Sequence, residues 1–152
     1  MIKIKLEDSQ VSVSENCKTK KSILEKISEL LSKPSGINRN DIFAKLYERE
    51  KLGSTSIGKG VAIPHARIHN IEYPFLSIMI LDEPVDFDNI DSLDVDIIAS
   101  LIVPEENFSN HLELLAYLSN KLDDPFIRKE LRQARNSSQI IKNLRSDDLE
   151  FI

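Results

Sequence analysis

The sequence predicts an α/β protein, with a mixed central β-sheet between helical layers (a three-layer α/β/α sandwich). Three observations carry this. Two helix-period segments open the chain and three close it. Between them lie FLSIMIL (75–81) and VDIIASLIVP (95–104), apolar runs with little polar alternation. Strands that are dry on both faces read this way, so helices must cover both sides.

The elements follow in order. VSVS at Val11–Ser14 alternates apolar and polar, as a short strand does. Thr19 is placed to cap a helix reaching about Lys33, with Ile23, Leu24, Ile27, Leu30 and Leu31 on one face. Pro34 and Gly36 are expected to stop it. Asn38 caps a second helix with Asp41 in its first turn. Ile42, Phe43, Leu46 and Tyr47 form its buried side, and Arg49 falls near the edge of that face. Gly53 ends it. VAIP (61–64) reads as a short strand, and VDF (85–87) as an edge strand after a turn at Pro84. Asn107 or Ser109 caps a helix burying Leu114, Leu115, Leu118 and Leu122. Asp124-Pro125 starts another, carrying Phe126, Ile127 and Leu131. Ser137 caps the last, with Ile140, Ile141 and Leu144. The polar tail from Ser146 is expected to fray.

Composition bounds the function. The chain has 152 residues, read as one domain over 1–152, and a formal charge of −5. An acidic chain gains nothing from phosphate backbones or anionic lipid, which argues against nucleic acid and membrane insertion. The start MIKIKLEDS has no secretion-signal pattern, and no apolar run is long enough to span a bilayer. The single cysteine, Cys17, fits a reducing, cytoplasmic setting, and its default reading is structural.

The stretch from Gly53 to Gly60, GSTSIGKG, nearly completes a Walker loop, G-x-x-x-x-G-K-[ST]. Gly60 stands where a hydroxyl should hold Mg²⁺. The segment also follows a helix and leads into a strand, the reverse of the order a Walker loop requires. The glycines are read instead as allowing a tight backbone turn. Lys59 is by default a solvated lysine on that turn.

Two of the three histidines follow closely. His65 comes directly after Pro64, whose fixed φ stiffens the approach. Neutral imidazole is a nucleophile near neutral pH and needs no separate base. His111 lies four residues before Leu115 and seven before Leu118, which places it on a buried helical stripe. By itself it reads as a core histidine satisfied by a backbone partner. His69 is four residues from His65, but that spacing shares a face only on a helix, so no metal site is expected and His69 is read as exposed. Arg49 presents a planar fork suited to a phosphoryl group, although alone it reads as a surface residue paired with Glu48 or Glu50.

Taken together, REKLGSTSIGKGVAIPHAR and the later VDFDNIDSLDVDIIASLIVPEENFSNHLELLAYLSNKLDD resemble the two signatures of the enzyme IIA domain of the bacterial phosphoenolpyruvate-dependent phosphotransferase system. The type is mannitol/fructose (type 2), and REKLGSTSIGKG is close to the nitrogen-regulatory IIA proteins. The resemblance runs from roughly Val11 to Leu144. It implies that His65 accepts a phosphoryl group, with His111 and Arg49 in the same pocket and a mixed sheet between helical layers. The backbone around Gly58, Lys59 and Gly60, or the hydroxyls of Ser54 and Thr55, are expected to add donors. It implies a phosphocarrier donor (HPr or its nitrogen-branch counterpart, NPr) and, downstream, regulated target proteins or a IIB domain that passes phosphate to a sugar. No cofactor is implied. Ala66 stands where many relatives have Gly, and Lys59 where nitrogen-regulatory members often have Asn.

Overall fold

The computed structural model describes residues 1–88, 91–106 and 108–152, with backbone alone for 108–110. The main sheet has strand order β2–β6–β7–β4–β3, and β5 pairs β7 beyond β4. The strands are β2 (Val11–Glu15), β3 (Ser56–Gly58), β4 (Val61–Ala62), β5 (His65–Ile68), β6 (Phe75–Val85) and β7 (Val95–Pro104). β6 and β7 are antiparallel, whereas β2 runs parallel to β6, and β4 and β5 run parallel to β7. The sheet is therefore mixed, as the sequence predicts.

The central stretches of β6 (75–81) and β7 (97–103) are almost wholly apolar because each of their faces meets a different core. Leu76, Ile78 and Ile80 join Ile97, Ala99, Leu101 and Val103 on one side. Phe75, Met79, Leu81, Ile98 and Ile102 face the other. The first side is covered by α3 (Phe108–Asp123), α4 (Pro125–Gln133) and α5 (Ser137–Leu144), through Leu114, Leu118, Leu131, Ile140 and Leu144. The second is covered by α1 (Lys20–Ser35) and α2 (Arg39–Lys51), through Ile23, Ile27, Leu31, Ile42 and Leu46. Fully burying one such aliphatic side chain is worth about 1.5–3 kcal/mol, so the cores supply most of the driving force. No helix among the described residues is long and apolar enough to cross a membrane.

Local chemistry sets the helix ends. Thr19 and Ser22 form a reciprocal capping box, and Asn38 and Asp124 each accept a backbone N–H of their helix's first turn. Pro34 does not stop α1. It sits in the last turn, and the helix ends at Gly36, whose φ of 75° is the left-handed conformation that closes a C-terminus. Asn136 rather than Ser137 caps α5, accepting from the Gln139 N–H. Ser109 lies inside α3 and so is not its cap, while Asn107 lies outside the described residues.

Several expectations need correction. Tyr47 is 46% exposed, stacked on Phe43 at the margin of the α2 stripe, and Phe126 is 62% exposed. VDF is not a separate strand. Val85 ends β6, and the pairing with β7 shifts register between Ile80 and Val85, which accommodates Pro84. The C-terminal tail does not fray. β8 (Leu149–Phe151) pairs in parallel with β1 (Ile2–Ile4), and Ile4 and Leu149 are buried in the first core.

Candidate functional site

The SIGKG end of GSTSIGKG forms the first arm and the turn of a β-hairpin whose second arm is β4. Gly58 pairs with Val61 across a two-residue turn, Lys59-Gly60, with φ of 59° and 81°. Positive φ at both turn positions matches the right-handed twist of a hairpin, and glycine is the residue that takes it without strain. A phosphate-cradling loop opening a helix is excluded.

The hairpin lies against the start of β7. The Asp96 and Ile97 N–H groups both donate to the Gly60 carbonyl, and Arg132 holds the turn by bonds to the Lys59 carbonyl and the Asp96 carboxylate. The Lys59 ammonium is 2.8 Å from Asp123 Oδ1, and the Lys59 backbone N–H donates to the Asp91 carboxylate. The chain then runs along β7 through β4, and Pro64 accepts the Leu101 N–H at 2.9 Å before β5 begins. His65 therefore sits several residues further along the same neighbouring strand, opposite Leu101.

Here the three residues singled out in the sequence meet. Arg49, His65 and His111 line one open cavity of about 670 Å³. Each comes from a different layer: Arg49 from the last turn of α2, His65 from the edge of the sheet, His111 from the first turn of α3. Arg49 does not pair with Glu50. Its Nη1 donates to the Gly53 carbonyl at 2.8 Å, which steadies the guanidinium at the end of its helix. Glu50 points into a separate buried network, where it pairs with Lys20 at 2.9 Å and accepts from the Thr55 N–H and hydroxyl.

The two imidazoles are held differently. His65 is half-buried, and its Nδ1 lies 2.9 Å from the Ile63 carbonyl. A carbonyl can only accept, so Nδ1 carries the proton and Nε2 keeps its lone pair. Burial holds the His65 pKa below the usual value and the Arg49 charge adds to this, against opposing effects of the Ile63 bond and Glu50. His111 is 5% exposed, and its Nδ1 is sealed without a hydrogen-bond partner among the described residues. Among the described residues no backbone partner of the kind expected of an ordinary core histidine is found. An unpartnered buried acceptor is more tolerable than an unpartnered N–H, so with the described residues as its only neighbours the ring would carry its proton on Nε2. Burial, then the Arg67 charge, keep this ring's pKa low too. Both rings are thus favoured in the neutral form at neutral pH, with the lone pair of His65 on Nε2.

The other sequence candidates are not among the cavity's lining residues. The Ser54 hydroxyl donates to the Phe87 carbonyl at 2.6 Å, Thr55 serves Glu50, and Gly58, Lys59 and Gly60 form the hairpin described above. His69 is exposed, with Nε2 2.9 Å from Glu105 Oε2. Cys17 is half-buried against the Ser22 carbonyl, and burial pushes its thiol pKa up. Sequence reasoning missed Arg67 and Lys45, both of which line the cavity. The signals were present: Arg67 is two residues beyond His65, and Lys45 one helical turn before Arg49.

Fold and site together define a mixed-sheet α/β protein whose sheet edge and two helices assemble a histidine pair beside a guanidinium. A family model for the phosphoenolpyruvate-dependent sugar phosphotransferase system, EIIA 2, matches residues 5–147, and the chain belongs to this family. It is 42% identical over 117 residues to a nitrogen regulatory protein of Pseudomonas aeruginosa, covering 76% of each chain. Its fold matches the crystal structure of nitrogen regulatory protein IIA-Ntr from Neisseria meningitidis with a TM-score of 0.88 and 34% identity, over 91% of this chain and 95% of that one. It is also similar to the fructose-specific EIIABC component of Bacillus subtilis, at 28% identity over 86% of this chain but 21% of that protein.

Proposed function

We propose that His65 accepts a phosphoryl group from the phosphohistidine of a small carrier protein, HPr or its nitrogen-branch counterpart, in the cytoplasm. One observation carries this reading: the Ile63 carbonyl holds the proton on Nδ1, leaving Nε2 as a lone-pair nucleophile in a cavity shared with Arg49 and His111. Nε2 attacks phosphorus in line, the donor's P–N bond breaks, and the donor imidazole leaves with the electron pair. The P–Nε2 bond forms as the His65 ring gains positive charge, which the Ile63 carbonyl stabilises through Nδ1–H. Little covalent assistance is required, so catalysis consists of positioning and charge stabilisation. Arg49 neutralises the equatorial oxygens, and His111 donates from Nε2.

The functional output is regulatory. Phosphorylation adds about two negative charges to a cavity whose apolar rim includes Leu52 and Leu112, 84% and 53% exposed, and this switches binding of target proteins. The similarity to the Pseudomonas nitrogen regulatory protein along most of both chains favours this over sugar transport, in which phosphate passes on to a IIB domain.

The test is incubation with enzyme I, the carrier and phosphoenolpyruvate, followed by intact mass. One added phosphate is expected, absent in His65→Ala; an unmodified wild type overturns the reading. Rapid loss of the label to a sugar-specific IIB domain overturns the regulatory assignment in favour of transport.

A further inference from the structure

His65 and Arg67 are alternate residues of β5. Ala66 and Ile68, the intervening positions, are buried, so His65 and Arg67 share the outward face of the strand. Two strand residues span about 6.6 Å, within reach of an arginine side chain. Both residues line the His65 cavity.

The cavity's charge is unlike that of the chain around it. Lys45, Arg49 and Arg67 face two carboxylates, Glu48 and Glu105, in a protein of net charge −5. Of the three cations, Arg49 acts electrostatically on His65 and Arg67 on His111, whereas Lys45 is not a cause of either ring's shift. The guanidiniums therefore attend the two histidines one each. A phosphoryl group presents three oxygens, and Arg49 already spends one N–H on Gly53.

We infer that Arg67 is a second phosphoryl-binding residue, whose guanidinium contacts oxygens of the group carried on His65 and stabilises the phosphorylated form. This rests on the reading of His65 as acceptor. Arg67 is exposed and Arg49 half-buried, so the Arg67 contribution is the smaller and the more sensitive to salt.

The experiment measures an equilibrium. Full-length protein and carrier are mixed with a limiting amount of phosphoenolpyruvate and catalytic enzyme I, and intact mass gives the split of phosphate between the two. Arg67→Gln is expected to shift the split toward the carrier by about three- to tenfold at low salt, and Arg67→Lys by less. The shift should shrink as ionic strength rises from about 0.05 to 0.5 M. Urea unfolding of each variant checks that the fold is intact. An unchanged split in Arg67→Gln overturns the inference. So does a slower approach to the same split, because a residue that only docks the carrier changes the rate and not the equilibrium. If the wild type takes no phosphate on His65, the functional reading itself falls. Normal wild-type labelling with an indifferent variant removes Arg67 alone.

Discussion

The Nδ1 atom of His65 lies 2.9 Å from the carbonyl oxygen of Ile63, two residues earlier in the chain. Pro64 between them stiffens this short loop, so the ring's orientation and tautomer are set locally, before any partner arrives. Phosphorylation should therefore occur on Nε2. Long-range ¹H–¹⁵N correlation spectra of the free protein should show the Nδ1–H tautomer, and the phosphorylated protein should show phosphorus coupling to Nε2. Coupling to Nδ1 would mean the Ile63 bond breaks during transfer.

The depressed pKa of His65 fixes the sign of its pH dependence. An ordinary imidazole is mostly protonated below about pH 6.5 and cannot attack. Here burial first, and then Arg49, keep the ring neutral to lower pH. The rate of phosphate acceptance should hold as pH falls past 6.5 and decline only further down, once the carrier's own titration is accounted for. In Arg49→Gln the inflection should move upward. Stability follows the same sign: below about 6.5 the unfolded chain binds a proton that the folded ring resists, so stability falls as pH drops toward the folded pKa. His65→Gln should flatten part of that slope in urea titrations at several pH values.

Arg49 and His111 come from different helices but share the cavity with His65. Arg49→Ala should slow transfer by about a hundredfold, in the range of losing one preorganised charge-stabilising group. His111→Gln should slow it by about tenfold or more. Rapid-quench transfer from labelled carrier measures both, with circular dichroism confirming the fold. Unchanged rates in both variants would show that the phosphoryl group is steadied by other residues.

Glu50 neighbours Arg49 in sequence yet belongs to the scaffold. It is 7% exposed, pairs with Lys20, and fastens the Thr55 segment to α2. Glu50→Ala leaves the Lys20 ammonium with Asp88, 3.1 Å away, as its remaining carboxylate partner and leaves the buried Thr55 N–H without its acceptor, and should cost about 1–3 kcal/mol. Glu50→Gln should cost less, since it keeps an acceptor. Denaturant midpoints decide this, and a loss within about 0.5 kcal/mol for Glu50→Ala would place the network among ordinary surface contacts.

Sequence alone determined the sheet's centre and its cover. The 75–81 and 95–104 runs could only be strands dry on both faces, and five amphipathic segments with recognisable ends could only be helices laid against them. It also exposed the Walker-like string as a turn, since Gly60 lacks the hydroxyl and the flanking elements run in the wrong order. These features are local: a cap, a period or a missing side chain acts within a few residues. What it could not reach was contact between distant segments. Ile2–Ile4 and Leu149–Phe151 are too short to announce themselves, and they become strands only because each supplies the other's hydrogen bonds. His65–Ile68 was unread for the same reason, its partner being β7. Tertiary structure also reassigned the polar residues. Glu50 chose Lys20 over Arg49, the Ser54 and Thr55 hydroxyls were drawn to Phe87 and Glu50, and Arg67 was brought to the cavity by the alternation of a strand that only the folded sheet creates.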